Sequence, residues 1–89
     1  MSEILKRAAA GTMESSDVYV EIEPADSGIV IELDSVVEKQ FGAEIRRVAG
    51  EVLEEQGVTS AKLRLVDRGA LDCVIRARVE TAILRGMEG

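Results

Sequence analysis

Val18-Tyr19-Val20-Glu21-Ile22-Glu23-Pro24-Ala25-Asp26-Ser27-Gly28-Ile29-Val30-Ile31-Glu32-Leu33-Asp34 contains two alternating runs separated by turn-forming residues. Successive side chains of a strand point to opposite faces, so Val18, Val20 and Ile22 share one side while Tyr19, Glu21 and Glu23 share the other. Ile29, Ile31 and Leu33 alternate in the same way with Val30, Glu32 and Asp34. Pro24 to Gly28 supplies residues that favour a turn. The stretch predicts two half-buried strands joined as an antiparallel hairpin.

Downstream, Asp34 or Ser35 can cap a helix, and Ser35 followed by Glu38 has the form of a capping box. Val37, Phe41, Ile45, Val48 and Val52 recur at helical spacing and form one apolar stripe predicted to face a sheet. Gly57 can end that helix in the left-handed conformation, while Gly42 and Gly50 inside it reflect close packing or tolerance. Ala61, Leu63 and Leu65 alternate with Lys62, Arg64 and Val66. After a turn at Asp67-Arg68-Gly69-Ala70, Leu71, Cys73, Ile75, Ala77 and Val79 alternate with Asp72, Val74, Arg76, Arg78 and Glu80, which predicts a second hairpin. Ile4 to Ala10 is expected as a frayed helix, and residues 81–89 as a short helix or tail. The expected architecture is a two-layer α+β domain over residues 1–89. Its antiparallel four-stranded sheet is built from two hairpins in the order β-β-α-β-β, with one long helix packed on one face.

Composition narrows the functional classes. With 46% hydrophobic and 31% charged residues, the chain is globular rather than disordered or fibrous. No apolar run approaches the roughly 20 residues that span a bilayer, and the N-terminus lacks the basic leader and long apolar core of a secretory signal, so a cytoplasmic location is expected. A net charge of −6 and only Tyr19 and Phe41 as aromatics argue against nucleic acid as a partner. An acidic surface favours cationic protein partners. There is no histidine to activate a serine, so hydrolase chemistry is not expected. The carboxylates have neither calcium-loop spacing nor Cys/His zinc partners, and no metal is inferred. The phase of Cys73 matches Leu71 and Ile75, which assigns it to the core.

Three blocks carry a resemblance. They are Gly11-Thr12-Met13-Glu14-Ser15-Ser16-Asp17-Val18-Tyr19-Val20, then Val37-Glu38-Lys39-Gln40-Phe41-Gly42 with Ile45-Arg46-Arg47, then Asp67-Arg68-Gly69-Ala70-Leu71-Asp72-Cys73-Val74-Ile75-Arg76-Ala77-Arg78-Val79-Glu80. In this order and spacing the chain resembles the citrate lyase acyl carrier (gamma chain) family to about Leu84. Met13 stands where that family more often has Leu, and Arg68 where Lys is usual, changes that preserve size or charge. Extending the strand phase backward puts Ser16 with inward Val18 and Ser15 with outward Tyr19. Alignment with the family motif also selects Ser15, leaving Ser16 as second choice.

The resemblance implies a phosphoribosyl-dephospho-coenzyme A group joined to Ser15 by a phosphodiester, its thiol holding acetyl and then citryl groups. It implies a non-catalytic carrier with a mobile, group-bearing segment over residues 1–16. Its partners would be an alpha subunit that transfers the acyl group, a beta subunit that cleaves citryl thioester to oxaloacetate, and a prosthetic-group transferase. Two alternatives stay open: a carrier subunit of malonate decarboxylase, and an unmodified structural or adaptor subunit.

Overall fold

The computed structural model describes residues 3–88. Its elements are the strands Ala8–Gly11 (β1), Val18–Glu23 (β2) and Ile29–Ser35 (β3), the helix Glu38–Glu55 (α1), the strand Ala61–Asp67 (β4) and the helix Asp72–Met87 (α2). The fold is two-layer α+β, with a four-stranded sheet in the order β1-β2-β4-β3. Val18, Val20, Ile22, Leu63 and Leu65 are fully buried on its inner face. Both helices pack there side by side, α2 over β1 and β2 and α1 against β3 and α2. The other face is charged: Glu21 accepts hydrogen bonds from Arg7, Tyr19 and Arg64.

The alternating runs that predict a hairpin are both strands, but they do not pair. β4 lies between them, antiparallel to β2 and parallel to β3 with Ile29 opposite Ala61 and Ser35 opposite Asp67. β3, α1 and β4 therefore form a β-α-β crossover, and the sheet is mixed rather than wholly antiparallel. Segment Pro24 to Gly28 crosses the slot that β4 fills, and the Ala61 N–H donates to the Gly28 carbonyl at 3.0 Å. Alternation reports that a strand has an inner and an outer face; it does not report its neighbour. The hairpin present is β1 with β2, Ala8 opposite Ile22 and Gly11 opposite Tyr19. The frayed helix expected over Ile4 to Ala10 is thus replaced by a strand, because the exposed edge of β2 offers the short alanine run a ladder of backbone partners.

The second predicted hairpin is also corrected, since residues 72–87 form α2. Five alternating apolar residues fit a strand, but only a helix places Ile75, Val79, Ala82, Ile83 and Gly86 together on one buried side. Residues outside that stripe, Leu71, Cys73 and Ala77, are exposed. Cys73 is therefore not a core residue. Gly86 lets the N-terminal segment lie close: a Cβ there would come within 3.2 Å of Ile4, and the Gly86 carbonyl accepts from the Leu5 and Lys6 N–H groups.

In α1 the buried residues are Gly42, Ile45, Val48, Ala49, Val52 and Leu53. Phe41, expected to face the sheet, is 52% exposed, because the buried flank of α1 runs through Gly42, Ile45, Ala49 and Leu53 and leaves Phe41 at its edge. Gly57, at φ +74, ends the helix as expected. Its N–H donates to Glu54 and that of buried Val58 to Leu53, the paired bonds of a Schellman motif. The predicted capping box is absent. Ser35 is the last residue of β3, and Val37 occupies the N-cap without a side-chain hydrogen bond.

Candidate functional site

The C-terminal ends of β1, β3 and β4 and the start of β2 meet at one end of the sheet, and the turn of residues 12–17 stands there. Gly11 makes the turn possible. Its φ of +92 is left-handed, and a Cβ at that position would lie 1.9 Å from the Val18 carbonyl oxygen, so any side chain would collide with the hairpin's own backbone. The chain then closes a four-residue turn, the Asp17 N–H donating to the Glu14 carbonyl at 3.1 Å. Ser15 and Ser16 are its two central residues, and both are exposed. Ser16 has a φ of +66, a conformation costly for a residue with a Cβ.

This geometry corrects the strand-phase reasoning about the serines. The alternation does not extend behind Val18, because the turn reverses the chain at Ser16, so Ser16 does not point inward with Val18. What separates the two is backbone docking. The Ser16 N–H donates to the Arg68 carbonyl at 2.9 Å, and the Arg68 N–H donates to the Asp17 carbonyl at 2.9 Å. Ser15, the other central residue, is exposed, and its hydroxyl makes no hydrogen bond among the described residues.

Asp17 holds this turn against the body of the protein. Its carboxylate accepts two bonds from the Arg78 guanidinium of α2, at 3.1 and 2.8 Å, one from the Thr12 hydroxyl at 2.7 Å and one from the Val18 N–H at 2.7 Å. The Arg78 bonds first, and that of Thr12 second, pull the carboxyl down from its ordinary 3.8 to about 2. Thr12 also accepts from the Glu14 N–H at 3.2 Å. On the next strand Asp67 is fully buried. It accepts from the Ser35 hydroxyl at 2.8 Å and from the Ala70 N–H at 2.9 Å, fixing the end of β3 and the loop of residues 68–71.

Sequence reasoning singled out Ser15 and Ser16 but did not join Arg78, Asp67, Thr12 or Ser35 to them as parts of one assembly. Arg78 lies 61 residues from Asp17, and its spacing signalled a strand. A polar Thr-x-x-x-x-Asp pair around two serines is the one signal in the sequence that anticipates a bonded turn. Among the described residues, no group of three or more Cys, Asp or Glu side chains could hold a metal ion, and no helix is long and apolar enough to cross a membrane.

Comparison with known proteins bears on the chain along almost its whole length. The family model described as malonate decarboxylase delta subunit (MdcD) matches residues 5–86. The chain is similar to the citrate lyase acyl carrier protein of Escherichia fergusonii, 54% identical over 97% of this chain and 90% of that protein. It is 53% identical to the protein of the same name from Clostridium perfringens, over 97% of this chain and 86% of the other. For that of Pectobacterium atrosepticum the identity is 48%, over 97% and 90%. Its fold is that of a chain in the crystal structure of a Pseudomonas malonate decarboxylase hetero-tetramer in complex with malonate, with a TM-score of 0.79 at 23% identity, covering 94% of this chain and 87% of that one. High identity along almost the whole length, joined to the shared fold, leaves one conclusion: the chain belongs to the citrate lyase acyl carrier protein family.

Proposed function

We propose that this chain is the acyl carrier subunit of citrate lyase and that Ser15 bears its phosphoribosyl-dephospho-coenzyme A group through a phosphodiester. The observation that carries the site is the position of Ser15: a primary hydroxyl at the tip of a turn braced by Asp17, Arg78 and the Arg68 backbone. These residues fit such a group, since attachment needs an accessible hydroxyl and a modifying enzyme needs a presented loop. Bound there, the group supplies the thiol on which acyl groups travel. The chain holds the attachment point through these hydrogen bonds and supplies no catalytic base. Tethering then raises the effective concentration of the cargo at each partner's active site.

The partners in this reading are the alpha acyl transferase, the beta citryl lyase and the transferase that installs the group, in the cytoplasm. The match to citrate lyase carriers at 54% identity, against 23% for the malonate decarboxylase chain, favours citrate lyase. The family model favours malonate decarboxylase as the second reading. An unmodified adaptor is the third.

Intact mass and peptide mapping of protein from its native host test the site. A single added group on the Ser15 peptide is expected, lost in Ser15→Ala together with citrate cleavage by the assembled complex. A group on Ser16, or an active complex containing the Ser15→Ala chain, overturns the assignment. Co-purified subunits that decarboxylate malonate establish the second reading instead.

A further inference from the structure

Beside the Ser15 turn runs a groove of about 340 Å³ lined by Val37, Phe41, Glu44, Ile45 and residues 69–72. Loop 68–71 forms one wall, and it is the loop whose Arg68 is hydrogen-bonded on both sides to the serine turn. The opposite wall is the first turns of α1. Phe41, 52% exposed, and Leu71, 71% exposed, are at its surface. Val36, at 62%, and Met13, at 52%, extend exposed apolar surface on the same end of the sheet. The volume falls in the range of sites for small molecules.

We propose that this groove is the resting place of the acyl-bearing end of the group carried on Ser15, an inference that rests on Ser15 being the attachment site. Reach permits it. From the serine turn at the start of β2 to the N-terminus of α1, beyond β3, is about two strand spacings across the sheet edge, roughly 10 Å. The pantetheine part alone is equivalent to about four residues of extended chain, roughly 14 Å, and the phosphoribosyl and nucleotide units stand between it and Ser15, so the tether exceeds the span and folds back over loop 68–71 to reach the groove. Chemistry matches as well: the arm's dimethyl carbon and a short acyl group suit Phe41, Ile45 and Leu71. The tether decides the occupant. A covalently held arm is present at an effective concentration on the order of millimolar, so a shallow groove too weak to capture a free ligand is still filled. Resting there, the thioester is shielded from water until a partner draws it out.

The test uses the modified protein from its native host in a Cys73→Ser background, deacylated so that the arm's thiol is free, with intact mass confirming the group. Its thiol is titrated with a disulfide reagent beside free coenzyme A. Labelling slower than the free thiol by about threefold or more is expected. Leu71→Asn should restore the free rate, because Leu71 is exposed and Asn is a good residue for the N-cap place it holds. Backbone amide resonances of Phe41, Ile45 and Leu71 should differ between modified protein and the Ser15→Ala chain. A modified chain that labels as fast as coenzyme A, with unchanged groove resonances, overturns the groove assignment and leaves the carrier reading standing. Groove resonances that shift only when the other subunits are added assign the surface to a protein partner and also overturn it. An unmodified mass overturns the carrier reading, and the groove assignment with it.

Discussion

Asp17, just ahead of β2, and Asp67, the last residue of neighbouring β4, stand at the same end of the sheet, one residue apart in register, and do different work. Asp67 is fully buried and its hydrogen bonds come from a hydroxyl and a backbone N–H, joining β3, β4 and the following loop. The side chain of Asp17 is 14% exposed and is gripped by a guanidinium, joining the serine turn to α2. The buried aspartate sets the platform. The half-buried, charge-paired one sets the position of the turn on that platform, so the two exposed serines can be presented without being a weak point of the core.

The largest effect should come from Asp67→Ala. It leaves the part-buried Ser35 hydroxyl and Ala70 N–H without their partner and opens a gap at a fully buried position, and stability in urea should fall by about 2 kcal/mol. A loss below about 1 kcal/mol would break the distinction between the two aspartates. Arg78→Ala should be smaller, about 1 kcal/mol, since the guanidinium is partly exposed and solvent screens the pair. Its signature should be local: faster amide exchange at residues 14–18, with the β2–β4 ladder unchanged. Uniformly faster exchange would show that Arg78 supports the core instead.

Acid sharpens the comparison further. The unfolded chain takes up the Asp17 proton near 3.8 and the folded chain only near about 2. Stabilisation by this carboxylate is therefore complete above the first value and lost as pH falls through the second. Asp17→Asn should flatten that part of the acid unfolding curve, and an identical curve would remove Asp17 from the account. The smallest effects belong to the serines. Ser16→Gly should gain up to about 1 kcal/mol by relieving the left-handed φ. Ser15→Ala should change stability by less than about 0.5 kcal/mol, as at most exposed positions. A large loss there would mean that the Ser15 hydroxyl holds the turn together.

By itself the sequence determined β2, β3 and β4 as strands, α1 as a helix closed by Gly57, and the two-layer α+β class. Each of these follows from local periodicity or from the backbone freedom of one residue, and needs no knowledge of what lies across the sheet. The tertiary structure alone decided the rest. β4 rather than β2 neighbours β3, because period-two alternation is satisfied equally by either partner. Residues 72–87 are a helix because the buried stripe that continues through Ala82, Ile83 and Gly86 needs a helical period, whereas its first half fits both. Cys73 and Phe41 are exposed because the packing of whole elements, not the phase of a short run, sets which flank reaches the core. The bonds from Arg78 to Asp17 and from Ser35 to Asp67 close over 61 and 32 residues. Only the folded sheet edge brings those groups within hydrogen-bond reach, and a pattern read along the chain has no means to count across that distance.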